Sequence, residues 1–197
     1  MWSVFNYGSA LANMLACHMD IDNVEHRTLV QNYWQSPSIP TQVGLKAVDL
    51  FDAIDQGKIK AVWIMATNPM VSMPNRHKIK AALAKCEMVV VSDCVANNDT
   101  IAMADVVLPA TGWSEKNGTV TNSERRISRQ RGFLPPAGEA RHDWRIMCDV
   151  AIAMGFNTGF NFTDPSEIFA EYCGLTAEKN NNTRDLDLSG LCGLTQT

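Results

Sequence analysis

Hydrophobic residues are grouped along the middle of this chain in a pattern that predicts a parallel β-sheet. Three short, uninterrupted apolar runs, at Ala61–Met65 and at residues 88–91 and 106–108, are typical of strands buried on both faces. Residues 74–85 and 100–104 lie between these runs and carry apolar side chains at helical spacing. Because strands and helices alternate, we predict a parallel sheet with right-handed crossovers.

Helical patterns also precede the predicted sheet. Residues 10–16 and 24–34 are typical of helices, and a loop with two prolines follows them. In residues 45–56 the apolar side chains fall mostly on one helical stripe, and Gly57 marks the predicted end of that helix.

After the sheet, the pattern changes from short buried runs to turns and helices. Thr163 or Asp164, followed by Pro165, is typical of the start of a helix. In chain order we predict a turn-rich loop, an extended segment, two helices and a weakly ordered polar tail, at residues 118–122, 125–133, 143–154, 164–172 and 178–197.

The predicted fold class is therefore α/β. We expect a parallel-sheet, nucleotide-binding-like domain of the three-layer Rossmann type, with extra helices at both ends. Residues 45–156 would form this domain. Residues 1–44 would form a helical segment with its proline-containing loop, and residues 157–197 a helix with the polar tail.

Composition and charge exclude some kinds of partner. A chain of 197 residues with 46% hydrophobic residues can bury a substantial core. Its net charge of −4 offers no electrostatic surface for nucleic acid or for an anionic membrane. No apolar run approaches the roughly 18 residues that a membrane helix needs. We therefore predict neither a nucleic-acid partner nor a membrane association.

The six cysteines contain no CxxC pair, so they predict neither a structural zinc site nor an iron–sulfur cluster. The amino-terminal stretch lacks the basic segment of a signal peptide, and unpaired thiols suit a reducing compartment, so the predicted location is cytoplasmic. Cys94 has no obvious base nearby in the sequence. We interpret it as a buried structural cysteine.

Polar residues follow two of the predicted strands. They lie at the carboxyl ends of these strands, which is where α/β sheets bind ligands. Asn68 comes after the strand Ala61–Met65, and Ser92 and Asp93 follow the next apolar run. Taken singly, an asparagine before Pro69 commonly satisfies its own turn, and an aspartate after a strand commonly caps a helix. Two such positions at neighbouring strand ends favour a ligand crevice.

The glycine-rich motifs that hold pyrophosphate, GxGxxG and GxxxxGK[ST], are both absent from the sequence. A nucleotide bound here would be held mainly through its base and sugar. Lys116, Arg125 and Arg126 could supply cations for its phosphates, or could be ordinary surface charges. The pattern contains no activated nucleophile, acid–base pair or metal cluster, so we predict no catalytic residue and no metal ligand.

Three features together resemble a known family. They are Asn68-Pro69, Ser92-Asp93 and the run ADVVLPATGWSEKNGTVTNSERR at residues 104–126. The chain resembles the molybdopterin oxidoreductases, also called the dimethyl sulfoxide reductase superfamily. Within them it is most similar to the catalytic subunits of assimilatory nitrate reductases. The stretch QRGFLPPAGEARHDWRI at residues 130–146 supports this narrower resemblance.

The resemblance implies a cofactor and a set of residues that contact it. Residues 45–156 would cradle one of the two guanine dinucleotide groups of molybdenum bis(molybdopterin guanine dinucleotide). The family's strand-end asparagine falls on Asn68, its Ser-Asp pair on Ser92 and Asp93, its lysine on Lys116, and its later aspartate on Asp143. Asp143 could equally cap the helix that begins there.

The resemblance also implies that the chain is an internal fragment of an enzyme that reduces nitrate to nitrite. The parent would carry a [4Fe–4S] cluster that this chain does not ligate, and we expect the fragment alone to be inactive. Its partners would be the remaining domains of the same polypeptide, an electron-donor protein or subunit, and nitrate. The alternatives are another family member, such as a formate dehydrogenase, or a stand-alone nucleotide-binding module.

Overall fold

A computed structural model describes residues 14–193 of the chain. The strands are β1 (Ala61–Met65), β2 (Met88–Asp93), β3 (Val106–Pro109), β4 (Gly118–Thr121) and β5 (Ile127–Gln130). The α-helices are α1 (Val24–Tyr33), α2 (Ala47–Asp55), α3 (Pro69–Ser72), α4 (Arg76–Lys85), α5 (Asp143–Ala153) and α6 (Pro165–Ala177). The predicted helix at residues 10–16 lies mostly outside the described residues.

Strands β1, β2 and β3 form a parallel three-stranded sheet in that order, so the predicted α/β class is confirmed. Met65 pairs with Ser92 and Asp93 pairs with Pro109, so the three strands end close to one another. The central side chains Ile64, Val89 and Val91 are buried, which explains the uninterrupted apolar runs.

Helices α2 and α4 pack against each other beside this sheet. Helix α4 begins after Asn75, whose side-chain oxygen accepts a hydrogen bond from Lys78 N at 3.3 Å. It buries Ile79, Ala82 and Leu83, the residues that the helical spacing predicts to face inward. In α2 the fully buried residues are the aromatic Phe51 and its neighbour on the same stripe, Ile54.

The described chain packs as two compact units. One contains Leu45–Lys116 and Arg131–Met147, and includes the parallel sheet. The other contains Asn117–Gln130 together with the described residues up to Gly44 and from Cys148 onward. All five predicted site residues belong to the unit with the sheet. The three-part domain division made from the sequence stays a prediction.

The predicted turn-rich loop at residues 118–122 is wrong, because Gly118–Thr121 is the strand β4. It pairs antiparallel with β5, with Val120 opposite Ser128. The turn-forming residues only flank the β-branched stretch Thr-Val-Thr, which has strong β-propensity. Asn122 then closes the hairpin, because its side-chain oxygen accepts hydrogen bonds from Glu124 N and Arg126 N, both at 3.0 Å.

The tail after α6 is also better defined than the sequence predicts, at least as far as Gly193. Asn180 is buried, and its amide nitrogen donates to the carbonyl oxygens of Thr176 and Leu186, both at 3.1 Å. Its amide oxygen accepts from Arg184 N at 2.9 Å. The polar composition therefore reflects hydrogen bonds to the backbone and not a lack of structure; residues 194–197 lie outside the described residues.

Candidate functional site

Asn68 lies in the turn after β1, and its side chain forms no hydrogen bond with that turn. Ala66 has a left-handed conformation (φ 53°), and its N–H donates to the carbonyl oxygen of Ser92 at 2.9 Å. Asn68 then precedes α3, where Pro69 occupies the first helical position. The Asn68 side chain does not cap α3. Its oxygen instead accepts a hydrogen bond from the Thr100 hydroxyl at 2.7 Å, so it is not the self-satisfied turn asparagine considered from the sequence.

Asp93, at the end of β2, holds the start of the next loop. One carboxylate oxygen accepts from Val95 N at 3.2 Å, and the other accepts from the side-chain amide of Asn98 at 3.0 Å. The side chain is partly buried. The helical turn that follows, Ile101–Met103, is held by Asn98 and not by Asp93. Asp93 is therefore not a helix cap.

Asn98 and Thr100 connect the two strand ends. The Asn98 side-chain oxygen accepts from Thr100 N at 3.0 Å, while its amide nitrogen donates to Asp93. The Thr100 hydroxyl in turn reaches Asn68. A continuous chain of hydrogen bonds thus runs from Asp93 through Asn98 and Thr100 to Asn68. We call these four residues the strand-end network.

Ser92 differs from the other predicted site residues because its side chain is fully buried. Its hydroxyl oxygen accepts a hydrogen bond from the indole N–H of Trp63 at 2.8 Å. Trp63 lies on β1, so this bond joins the side chains of two neighbouring strands just before they end. In the described structure Ser92 supports the strand end and does not present its hydroxyl at the surface.

Asp143 reaches the same edge of the sheet through a short extension of β3. Arg141 N donates to the carbonyl oxygen of Pro109, and Arg141 O accepts from Thr111 N, both at 3.0 Å. The buried Thr111 hydroxyl also shares a hydrogen bond with His142 Nδ1 at 3.0 Å. These bonds place the first residue of α5, Asp143, beyond the carboxyl end of β3.

Lys116 pairs with Asp143 across a separation of 27 residues. The distance from Lys116 Nζ to Asp143 Oδ2 is 3.0 Å, and each side chain is 27% exposed. The ammonium group also lies 6.0 Å from the centre of the Trp113 ring, within the range of a cation–π interaction. The carboxylate therefore holds the lysine in place.

The backbone beneath Lys116 is fixed by close packing. A Cβ atom added to Gly132 would lie 3.0 Å from Lys116 N and 3.0 Å from the carbonyl carbon of Glu115. The Glu115 carboxylate ties this segment to two others, because it accepts from Gly112 N at 2.7 Å and from Ala137 N at 3.0 Å. The position of Lys116 therefore depends on the absence of a side chain at residue 132.

The other cations and the thiol considered from the sequence lie outside the strand-end network. Arg125 and Arg126 lie in the turn between β4 and β5, in the unit without the parallel sheet. Cys94 is exposed, so its interpretation as a buried cysteine is wrong; the loop that begins after Asp93 leaves it at the surface. Cys17, Cys148 and Cys173 are buried, and burial raises the pKa of the Cys17 thiol to about 12.

Neither a metal cluster nor a membrane helix is found in the part of the chain that the structure describes. Among residues 14–193, no group of three or more histidine, cysteine, aspartate or glutamate side chains could hold a metal ion. The helices within the same range are too short or too polar to cross a bilayer.

Comparison with known proteins places the chain in a family. A family model described as molybdopterin oxidoreductase matches residues 2–153. The chain belongs to the molybdopterin oxidoreductase family. The resemblance identified from the strand ends and the motif at residues 104–126 is therefore confirmed. Membership in this family implies a molybdenum–pterin cofactor.

Nitrate reductases are among the relatives of this molybdopterin oxidoreductase chain. It is 48% identical to a nitrate reductase of Klebsiella oxytoca and 51% identical to one of Shewanella frigidimarina, in each case over 94% of this chain. It is 36% identical to the assimilatory nitrate reductase catalytic subunit of Bacillus subtilis over 81% of its length. The aligned region covers 21%, 20% and 22% of these proteins, so the chain spans about a fifth of their length.

The chain is also similar to two proteins that are not named as nitrate reductases. The alpha subunit of an F420-dependent formate dehydrogenase of Methanocaldococcus jannaschii is 38% identical over 76% of this chain and 22% of its own length. The acetylene hydratase of Pelobacter acetylenicus superposes with a TM-score of 0.53 and 23% identity, over 74% of this chain and 19% of that structure. The structural likeness concerns the fold alone.

Proposed function

We propose that this chain is the part of a nitrate reductase that holds the guanine dinucleotide end of one molybdopterin guanine dinucleotide. The observation that carries the proposal is the strand-end network. It places a partly buried carboxylate, Asp93, and a partly buried amide, Asn68, at the ends of two adjacent parallel strands. Crevices at the carboxyl ends of such strands are where α/β folds bind nucleotides.

The donors and acceptors of the described residues fit a guanine dinucleotide. Each oxygen of the Asp93 carboxylate accepts one hydrogen bond within the chain and has a further lone pair for a ring N–H or amino group. Asn68 can donate through its amide nitrogen. Lys116 has three ammonium donors and Asp143 engages one of them, which leaves two for phosphate oxygens.

The turn after β1 explains why this site would bind the nucleotide mainly through its base and sugar. Helix α3 is a single turn, and Pro69 at its first position has no N–H to offer a phosphate. The phosphates would therefore rely on Lys116, which Asp143 keeps in place. In this assignment Ser92 supports the end of β2 through its bond to Trp63 and does not touch the ligand.

The chemistry of the proposed parent enzyme lies outside this chain. When bound, the molybdenum–pterin group would supply oxygen-atom transfer, and electrons would arrive through a [4Fe–4S] cluster held by another segment. This chain would bind and orient the cofactor, shield it from water, and contact the remaining domains of the polypeptide. Its cysteines form no disulfide within the described residues, which suits a cytoplasmic enzyme with a separate electron donor. We expect no nitrate reduction by the chain alone with an artificial electron donor. Turnover would contradict the proposal that the catalytic centre requires other segments of the parent enzyme.

Binding of a guanosine nucleotide tests the proposed site. We expect GDP to bind the isolated chain weakly, because residues 14–193 supply only one wall of the proposed site. Replacing Asp93 by alanine should lower the affinity about tenfold or more, because a hydrogen bond to a carboxylate is lost. Isothermal titration calorimetry measures both constants.

The matched control for this experiment is Asp99→Ala. Asp99 lies in the same loop, but its exposed carboxylate pairs with Arg76 at 3.0 Å and takes no part in the strand-end network. Its removal should leave the affinity for GDP unchanged. Equal affinities for the Asp93→Ala variant and the unaltered chain would remove Asp93 from the site.

A second candidate is that the parent is a formate dehydrogenase. The observation in its favour is the 38% identity to a formate dehydrogenase alpha subunit, which is close to the values for some nitrate reductases. Both candidates use the same cofactor site in this chain. Assaying the complete gene product with nitrate and with formate separates them, and the substrate that is turned over decides the assignment.

A further inference from the structure

The Thr100 side chain has a hydrogen-bonding arrangement that limits how Asn68 can be oriented. Thr100 is fully buried, and its hydroxyl oxygen accepts a hydrogen bond from Met70 N at 3.3 Å. A hydroxyl group has a single proton to donate. The acceptor for that proton is the side-chain oxygen of Asn68, at 2.7 Å.

This bond decides which end of the Asn68 amide points outward. With its oxygen held by Thr100, the amide presents its nitrogen, which has no hydrogen-bond partner within residues 14–193. The opposite orientation would turn the amide N–H groups toward the hydroxyl and leave the buried hydroxyl proton without an acceptor. A buried, unsatisfied polar group is costly, so the observed orientation should be favoured by about tenfold or more.

We propose that Thr100 is a positioning residue that makes Asn68 a hydrogen-bond donor toward the ligand. The site would therefore select a ring with a carbonyl oxygen at this position over a ring with an amino group. Asn98 helps to hold the neighbouring acceptor in place, because its amide nitrogen donates to one carboxylate oxygen of Asp93. The inference rests on the proposed function, since it concerns the selectivity of that same site.

The first test compares nucleotides whose bases present different hydrogen-bonding edges. GDP and IDP carry a carbonyl where ADP carries an amino group, and they carry a ring N–H beside it where ADP has a lone pair. Asp93 is unchanged in the Thr100 variants, so the change of the affinity ratio between variants reports the orientation of Asn68. For the unaltered chain we expect GDP and IDP to bind more tightly than ADP. In Thr100→Val, which keeps the shape but removes the hydroxyl, the amide can turn, and the ratio should fall about tenfold.

The control is Thr100→Ser, which keeps the hydroxyl and should keep the ratio. A purely structural role for Thr100 predicts something else: the valine variant would lose affinity for all three nucleotides equally. A constant ratio in Thr100→Val would therefore overturn the proposal. Thermal melting of each variant shows whether it is folded before its affinities are compared.

A second measurement does not depend on nucleotide binding. Neutron diffraction from crystals of the deuterated chain locates the deuteron of the Thr100 hydroxyl and those of the Asn68 amide. We expect the hydroxyl deuteron to point at the Asn68 oxygen. Amide deuterons pointing at Thr100 would overturn the positioning role even if the valine variant fails to fold. If GDP does not bind the unaltered chain, the proposed cofactor site fails, and the neutron result still decides the orientation of Asn68.

Discussion

Replacing Gly132 by alanine is expected to lower the free energy of unfolding of the chain by about 1–3 kcal/mol, the usual cost of forcing a methyl group into a filled space. The new Cβ would meet the backbone of Glu115 and Lys116 at 3.0 Å, and backbone atoms cannot rotate away as the end of a side chain can. The segment carrying Lys116 would have to move, so the pair with Asp143 should also weaken. Urea denaturation and GDP titration measure the two effects.

Gly112→Ala is the matched control for this substitution. Gly112 lies in the same part of the chain, but an added Cβ would meet only the Glu115 carboxylate, at an ordinary contact distance of 3.5 Å. Its free energy of unfolding should stay within about 0.5 kcal/mol of the unaltered value. A Gly132→Ala variant as stable as Gly112→Ala would show that the segment at Lys116 can shift freely, and the geometry described for Lys116 would then be incorrect.

Truncating Phe51 to alanine should have the largest effect on stability. Phe51 is the largest fully buried side chain among residues 14–193, with 1% exposure, and it lies on α2, which packs against α4. Removing a buried phenyl ring costs about 3–5 kcal/mol, because apolar contacts are lost and a cavity remains. Thermal and urea denaturation should both show the loss. The affinity for GDP should fall with the folded fraction, because the proposed site forms only in the folded chain.

Val48→Ala provides the comparison on the same helix. Val48 is 50% exposed, and its truncation should change the free energy of unfolding by about 0.5 kcal/mol or less. Similar losses for the two variants would mean that Phe51 is not part of the core, contrary to its burial.

The fold and part of the candidate site could be predicted because they depend on local patterns. The apolar runs at Ala61–Met65 and in β2 define where two strands end, and the parallel arrangement brings those ends together. Asn68 and Asp93 follow directly from this argument. Secondary-structure patterns could indicate these positions because the residues that form a strand are contiguous in sequence.

The rest of the site depends on contacts between residues that are distant in sequence. Thr100 and Asn98 are ordinary polar loop residues until strand pairing brings Thr100 to Asn68, 32 positions earlier. Asp143 came from the family resemblance alone, and that resemblance singled out Lys116 from three candidate cations. A separation of 27 residues predicts no pairing by itself. A polar cluster directly after a strand is the one local signal that could have drawn attention to Asn98 and Thr100.

The position of the three-stranded sheet has a practical consequence for work with this chain. Within the described residues, β1 pairs with β2 alone, and β3 has on its other side only the bridge between Ala110 and Arg141. Both outer strands therefore have unused backbone donors and acceptors, and Val106 and Val107 on β3 are 37% and 42% exposed. Edges of this kind form hydrogen bonds with strands of other molecules. We therefore expect aggregation through these edges during purification, and keeping the protein dilute should reduce it.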